Sequence, residues 1–136
     1  MSGRGVYKSK NGDSYDGQWQ NGTRNGQGTY FFSNGNFYEG NWQDDKKQGT
    51  GKFTYANGDI FEGDWDNDMP NGKGQFSSHI GDVYQGDWKN GKMDGFGIYR
   101  FSTGDIYEGE WKDGKRCGKG IKRYVNGDVY EGEWKD

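Results

Sequence analysis

Every glycine of the chain, 27 in all, falls in one register that repeats every 23 residues. Within it Tyr15, Tyr38, Phe61, Tyr84, Tyr107 and Tyr130 are each followed two residues later by Gly and four residues later by Trp. Numbering each unit from that ring, further glycines recur at the twelfth, fourteenth and twenty-first places, and in three units at the eighth. Glycine held so strictly marks either a turn or a point where another group passes close to the backbone. A period of this length means that one supersecondary unit has been copied, so the chain folds as an array.

Each unit reads as two alternating stretches bounded by turn signals, hence as an antiparallel hairpin. The first turn carries Asn21-Gly22, Asn90-Gly91 and Asp113-Gly114, and the second carries Asn34-Gly35, Asn57-Gly58, Ile80-Gly81, Thr103-Gly104 and Asn126-Gly127. Such dipeptides supply the positive φ of tight hairpins. Asp45 and Asp68 stand where other units have Gly in the first turn, which predicts looser turns there.

The alternation places 21 of the 24 aromatic residues on one face, all but Phe31, Phe37 and Phe96. The simplest register sets each Trp between two glycines, with Trp65 between Gly72 and Gly51, so that glycine makes room for a ring. On the other face the same register opposes Glu39 with Lys52, Asp64 with Lys73 and Glu110 with Lys119 within hairpins. Between units it opposes Lys52 with Asp64, Arg100 with Glu108 and Arg123 with Glu131. Cross-strand pairs of this kind contribute about 0.2–1 kcal/mol each, which accounts for the charges without invoking a site.

Composition narrows the class. The chain has no leucine and one alanine, Ala56, so the apolar content is mainly aromatic and favours strands over helices. No apolar run has the length of a membrane span or a signal peptide. A net charge of −3 argues against a nucleic-acid binder. The single Cys117 excludes an internal disulfide and fits a reducing compartment, so a cytoplasmic location is expected.

The stretch Tyr107-Glu108-Gly109-Glu110-Trp111-Lys112-Asp113-Gly114-Lys115-Arg116, followed by Gly118-Lys119-Gly120, resembles the MORN (membrane occupation and recognition nexus) repeat. The resemblance spans one array: a half-unit at 1–14, full units at 15–37, 38–60, 61–83, 84–106 and 107–129, and a half-unit at 130–136. Departures from the pattern are Asp45, Asp68, Pro70 in a hairpin loop, and Lys122 where an aromatic is usual. The resemblance implies an all-β fold, an elongated, twisted, single-layer antiparallel sheet of tandem β-hairpins with an aromatic groove. It also implies a non-enzymatic role, in cytoskeletal and axonemal scaffolds, junctional membrane proteins, or accessory domains of lipid kinases and a lysine methyltransferase. Fold alone does not choose among these.

The residues themselves offer little chemistry. One histidine, His79, and one cysteine, Cys117, both on loops, assemble neither a catalytic triad nor a structural zinc site. Asp59, Asp82, Asp105 and Asp128 form a row at the second turns, but units spaced about 9–10 Å apart keep them from sharing one metal ion. No catalytic residue, metal or cofactor is expected.

Two binding surfaces are. A hairpin edge with Arg24, Lys46, Lys47, Lys92, Lys115 and Arg116 could touch acidic phospholipid. The aromatic face is the sharper candidate, because a single-layer sheet leaves it uncovered: Tyr38, Trp42, Phe61, Trp65, Tyr84, Trp88, Tyr107 and Trp111 would receive a partner helix or extended peptide. Unpaired strands at both ends offer homodimeric or end-to-end pairing. The expected role is a protein-interaction scaffold of the cytoskeleton, cilium or membrane-associated cortex; the alternative is a regulatory or phospholipid-targeting module of a larger enzyme.

Overall fold

A computed structural model describes residues 2–135, apart from the side chain of Lys135; the outermost residues of the two half-units, 1 and 136, lie outside the described residues. The chain forms twelve strands: β1 Gly3–Lys8, β2 Ser14–Gln20, β3 Thr23–Phe31, β4 Phe37–Gln43, β5 Lys46–Thr54, β6 Ile60–Asp66, β7 Met69–Ser77, β8 Val83–Lys89, β9 Lys92–Arg100, β10 Ile106–Lys112, β11 Lys115–Arg123 and β12 Val129–Lys135. They make a single antiparallel sheet in sequence order. Eleven strand spacings of about 4.8 Å give a sheet roughly 50 Å across its strands, long compared with strands of six to nine residues.

The first turn of each hairpin has two residues, both at positive φ, which is the geometry that matches strand twist. Asn21 and Gly22 lie at φ 51° and 81°, and Asn90 and Gly91 at 50° and 83°. Asp44 and Asp45 take 48° and 67°, and Asn67 and Asp68 take 53° and 71°. The turns holding Asp45 and Asp68 are therefore as tight as the glycine turns, contrary to expectation. Their left-handed backbone is offset by hydrogen bonds of the Asp side chains, described below.

The second turn corrects the register between units. Asn57-Gly58 is not a two-residue turn but the end of a three-residue loop, closed by Tyr55 N–H donating to the Asp59 carbonyl at 2.8 Å and Gly58 N–H donating to the Tyr55 carbonyl at 2.9 Å. Gly58, at φ 100°, is the residue that lets this wider loop close. The loop is centred on Asn57, one residue before the centre that the expected register requires, and this shifts the inter-unit pairing by two residues. Lys52 faces Glu62 rather than Asp64, Arg100 faces Ile106 rather than Glu108, and Arg123 faces Val129 rather than Glu131.

Within hairpins a bulge makes a second correction. In the third unit three residues of β7, Asn71 to Lys73, oppose Asp64 alone, with Gly72 at φ 113°. Trp65 consequently faces Pro70 and Gly49, not Gly72 and Gly51. Pro70 lies in strand β7 rather than in a loop. Glu39 does face Lys52. At the bulges, however, Asp64 accepts the Lys73 backbone N–H at 3.2 Å, and Glu110 accepts the Lys119 backbone N–H at 3.4 Å, in place of side-chain pairing. The Lys73 ammonium pairs instead with Asp87 of the next unit.

Each bulge also explains the ring at the first place. Opposite it, the carbonyl of the fourth place accepts the Tyr hydroxyl: Tyr15 to Gln18, Tyr38 to Asn41, Tyr84 to Asp87 and Tyr107 to Glu110, at 3.0–3.1 Å. Tyr130 donates likewise to Glu133 at 3.3 Å in the edge strand β12. Phe61 has no hydroxyl, so Asp64 receives no such bond. The Tyr ring lies over the glycine of the fourteenth place; a methyl on Gly51 or Gly97 would collide with the Tyr38 or Tyr84 hydroxyl. That is why the column is glycine at ordinary φ.

Candidate functional site

Tyr and Trp rings fill the glycine trough from its two sides and alternate along the array. From Tyr15 to Trp134 every neighbouring pair is edge-to-face, with centroids 4.9–5.5 Å apart and ring planes 81–90° to each other, the geometry that the ring quadrupole favours. Five of the six indole N–H groups reach back to the glycine carbonyl of the preceding unit: Trp19 to Gly5, Trp42 to Gly28, Trp65 to Gly51, Trp88 to Gly74 and Trp111 to Gly97, at 3.0–3.4 Å. The Trp134 indole N–H is buried without a partner among the described residues. Trp65 thus reaches Gly51 through its indole while facing Gly49 across the ladder.

This ladder is the core. Tyr38, Tyr84 and Tyr107 have no exposed surface and Phe61 has 1%. Trp42, Trp65 and Trp111 retain only 5–6%, whereas Trp88 is half-buried. Burial pushes the Tyr38 and Tyr84 hydroxyls far above the ordinary phenol range.

A second layer of side chains lies over the tryptophans. The tenth, sixteenth and eighteenth places of each unit cover the Trp of the next. Over Trp42 these are Arg24, Tyr30 and Phe32: the Arg24 guanidinium is 4.6 Å from the Trp42 ring centroid and 5.0 Å from that of Tyr30. Over Trp65 they are Lys47, Phe53 and Tyr55, with the Lys47 ammonium 5.6–5.9 Å from five ring centroids. At that range such cations are attracted to ring faces. Arg116 sits 4.5 Å from the Trp134 centroid.

Asp45 and Asp68 complete two of these covers. Asp45 accepts the Arg24 backbone N–H at 2.7 Å and its guanidinium Nε at 3.1 Å. Asp68 accepts the Lys47 backbone N–H at 2.8 Å and lies 3.5 Å from its ammonium. The side chain of Lys47 is only 13% exposed, and burial pulls its pKa down, partly opposed by Asp68. Arg24's backbone N–H and guanidinium hold Asp45 below its ordinary value against the effect of its own burial. The next two units have Gly91 and Gly114 in the acidic position, and the covering residues before them are Pro70 and Met93.

The basic residues named from the sequence therefore divide. Lys46, Lys92 and Lys115 are exposed beside the first turns, while Arg24, Lys47 and Arg116 fold over the rings. The aspartate row has a role that sequence reasoning missed. Asp13, Asp59, Asp82 and Asp105, with Asn36, each accept the backbone N–H of the following unit's loop, at Ser33, His79, Ser102, Val125 and Ala56 respectively, over 2.7–2.9 Å. Their recurrence at one place was the available signal. The Tyr99 hydroxyl, 2.7 Å from Asp82, lowers that carboxyl's pKa, and burial with this bond pushes Tyr99 up to about 12. His79 Nδ1 lies 2.7 Å from Asp59. Cys117 is a free thiol in β11. Among the described residues no group of three or more His, Cys, Asp or Glu side chains could hold a metal ion.

The recurring bulge, paired turns and Tyr–Trp ladder are the geometry of one repeat, and the MORN repeat pattern matches residues 1–14, 15–37, 38–60, 61–83, 84–106, 107–129 and 130–136. The chain belongs to the MORN repeat family. Among solved structures, the MORN array is similar to the SAS-4 (dCPAP) TCP domain of Drosophila melanogaster, solved in complex with a proline-rich motif of Ana2 (dSTIL). That likeness has a TM-score of 0.61 and 18% identity, over 95% of this chain and 71% of the other, and shows the shared fold. A virginiamycin B lyase from Staphylococcus aureus, solved with quinupristin, aligns over 99% of this chain and 42% of its own with 16% identity, but a TM-score of 0.23 carries no argument. Comparison with curated proteins gave no match.

The face above the ladder is the candidate site. Tyr30, Phe32, Phe76, Tyr99 and Phe101 are half-buried, and Tyr55 and Tyr124 are exposed. Among the described residues no helix or second sheet lies over them. β1 and β12 each have one unpaired edge.

Proposed function

We propose that this MORN array is a non-enzymatic protein-interaction scaffold that takes a partner segment on its aromatic face. One observation carries the reading: the inner ladder already satisfies the core, yet a second row of rings lies over it with no helix or second sheet above among the described residues. Exposed apolar surface of that kind marks a partner site. Of the eight inner rings, Trp88 offers direct contact; the others support the surface from beneath. The fold neighbour SAS-4 was solved with a peptide motif, which supports a peptide partner for a sheet of this fold. A cytoplasmic setting in the cytoskeleton, cilium or membrane-associated cortex goes with this reading.

Selection of displayed random dodecapeptides against the folded chain tests it. Selected peptides should lose binding to a Tyr55→Asp, Phe101→Asp variant whose circular dichroism matches the parent. Equal binding to that variant would remove the aromatic face as the site.

A second reading, a phospholipid-targeting or regulatory module, rests on the exposed Lys46, Lys92 and Lys115. Asp44, Asp66 and Asp113 stand on the same edge and weaken it. Salt-sensitive sedimentation with phosphatidylserine vesicles would favour this reading; failure to sediment would end it.

A further inference from the structure

The unit 61–83 departs from its neighbours at both positions that flank the cover of the following tryptophan. Pro70 stands where other units have Arg24, Lys47, Met93 and Arg116, and Ser78 stands where they have Phe32, Tyr55, Phe101 and Tyr124. Trp88, the tryptophan beneath, is half-buried, whereas Trp42, Trp65 and Trp111 on either side are buried. Among the described residues Phe76 alone remains as a covering ring over it, 6.4 Å away between centroids. The buried core divides at the same point into two clusters, with Phe76 and Trp88 packed at the margin of both. The two departures of this unit thus combine into a gap in an otherwise continuous cover.

We propose that this gap seats a proline of an extended, polyproline-II partner segment that runs across the strands and presents an acidic side chain to Lys122. The inference rests on the scaffold reading above and specifies the partner's chemistry. The first argument is spacing. Successive units are two strands apart, about 9.4–9.8 Å, and a polyproline-II helix advances about 9.3 Å every three residues. A segment laid across the strands therefore repeats its contacts once per unit, with a residue at every third position meeting an equivalent surface. An α-helix repeats a face after seven residues, about 10.5 Å, and drifts out of phase by roughly 1 Å per unit.

The second argument is what those successive surfaces hold. One unit beyond the gap is a hollow of about 300 Å³ over Trp111, lined by Met93, Tyr99 and Phe101 and rimmed by Arg116. It is apolar at its base and suits a second proline. One unit further, Lys122 replaces the aromatic of the sixteenth place. Its ammonium rests 4.9 Å from the ring centroids of Phe101 and Tyr124, and no carboxylate of the described residues lies within 4 Å of it. Apolar, apolar and cationic surfaces in that order call for Pro-x-x-Pro-x-x-Glu or its reverse. Proline on an aromatic floor contributes rigid apolar contact with little ordering entropy to lose.

The test titrates three fluorescein-labelled synthetic peptides against the full chain by anisotropy. They are a proline-rich dodecapeptide carrying Pro-x-x-Pro-x-x-Glu, its Glu→Lys counterpart, and an alanine-rich helical peptide of equal length and charge. The first should bind about tenfold more tightly than its Glu→Lys counterpart, one good charge pair's worth of affinity, and more tightly than the helical control, whose contacts fall out of phase with the units. Lys122→Glu should reverse the preference between the first two. The double variant Ser78→Tyr, Pro70→Arg installs the cover that other units carry and should weaken the first peptide about tenfold. Equal binding of the helical control, indifference to the Lys122 reversal, or no binding of the proline peptide would each overturn the proposal. The Lys122 reversal decides even if the double variant fails to fold. Display-selected peptides that use the aromatic face without this pattern would overturn the proline proposal and leave the scaffold reading standing; failure to select any peptide would overturn both.

Discussion

The units spanning 15–60 and those spanning 61–106 share one backbone but close their aromatic face differently. In the first pair, Arg24 and Lys47 lie over the next tryptophan, each held by a carboxylate of the next turn, Asp45 and Asp68. In the second pair, Pro70 and Met93 take the covering place and Gly91 and Gly114 take the turn. The two places change together because they form one contact. A cation moved off water and over rings needs a counter-charge, and a proline without an N–H needs no acceptor there. The difference teaches that the repeat carries an optional cover, closed by charge in one half and left apolar and partly open in the other.

The largest test of this comparison is truncation of the two tryptophans. Trp65→Ala should cost about 3–5 kcal/mol in urea denaturation, as for a fully packed aromatic. Trp88→Ala should cost about 1–2 kcal/mol less, because part of its ring already faces water. Equal losses would mean that the gap over Trp88 does not exist in solution.

Next is a double-mutant cycle across the cover. Asp68→Gly alone leaves the Lys47 ammonium over the rings without its carboxylate and should cost about 1–3 kcal/mol. Asp68→Gly with Lys47→Met rebuilds the cover of the 84–106 unit and should recover most of that loss, a coupling of about 1–2 kcal/mol. Additive losses would show that the paired change is incidental.

Alkaline titration follows. Tyr38 in one half and Tyr84 and Tyr99 in the other bind their protons more tightly folded than unfolded, Tyr99 up to about 12. Their contribution to stability is complete below the unfolded value near 10. It declines as pH rises through the folded values, because the unfolded chain releases those protons first. Phenolate absorbance at 295 nm should therefore show late-titrating tyrosines in both halves and falling stability above pH 10. A single transition near 10 would contradict the packing of the ladder. The smallest effect is expected from Phe61→Tyr, which supplies the missing hydroxyl to the Asp64 carbonyl and should stabilise by about 0.5–1.5 kcal/mol in the same denaturation assay.

The array was legible because its signals are local and repeated. Tyr38, Gly40 and Trp42 announce an alternating strand, and Asn21-Gly22 a turn. Register was less so. Asn57-Gly58 reads the same whether its loop is centred on Asn57 or on Gly58, and the bulge at Gly72 is set by the Asp64 side chain across the hairpin, which accepts the Lys73 backbone N–H. Hence Lys52 was matched with Asp64 although it faces Glu62. The depth of each ring was not legible either. Alternation tells inward from outward; it does not tell Tyr38, sunk in the glycine trough, from Tyr55, which stands above it.

By itself the sequence determined the repeat, its hairpins and the face that carries the rings, since period and alternation are properties of the chain. Only the tertiary structure decided which rings fill the trough, which cations leave the edge to cover them, and where that cover is open. Those outcomes depend on contacts between units, such as Lys47 with Asp68 and Pro70 beside Gly91, that lie about one repeat apart and are brought together only when the sheet is formed.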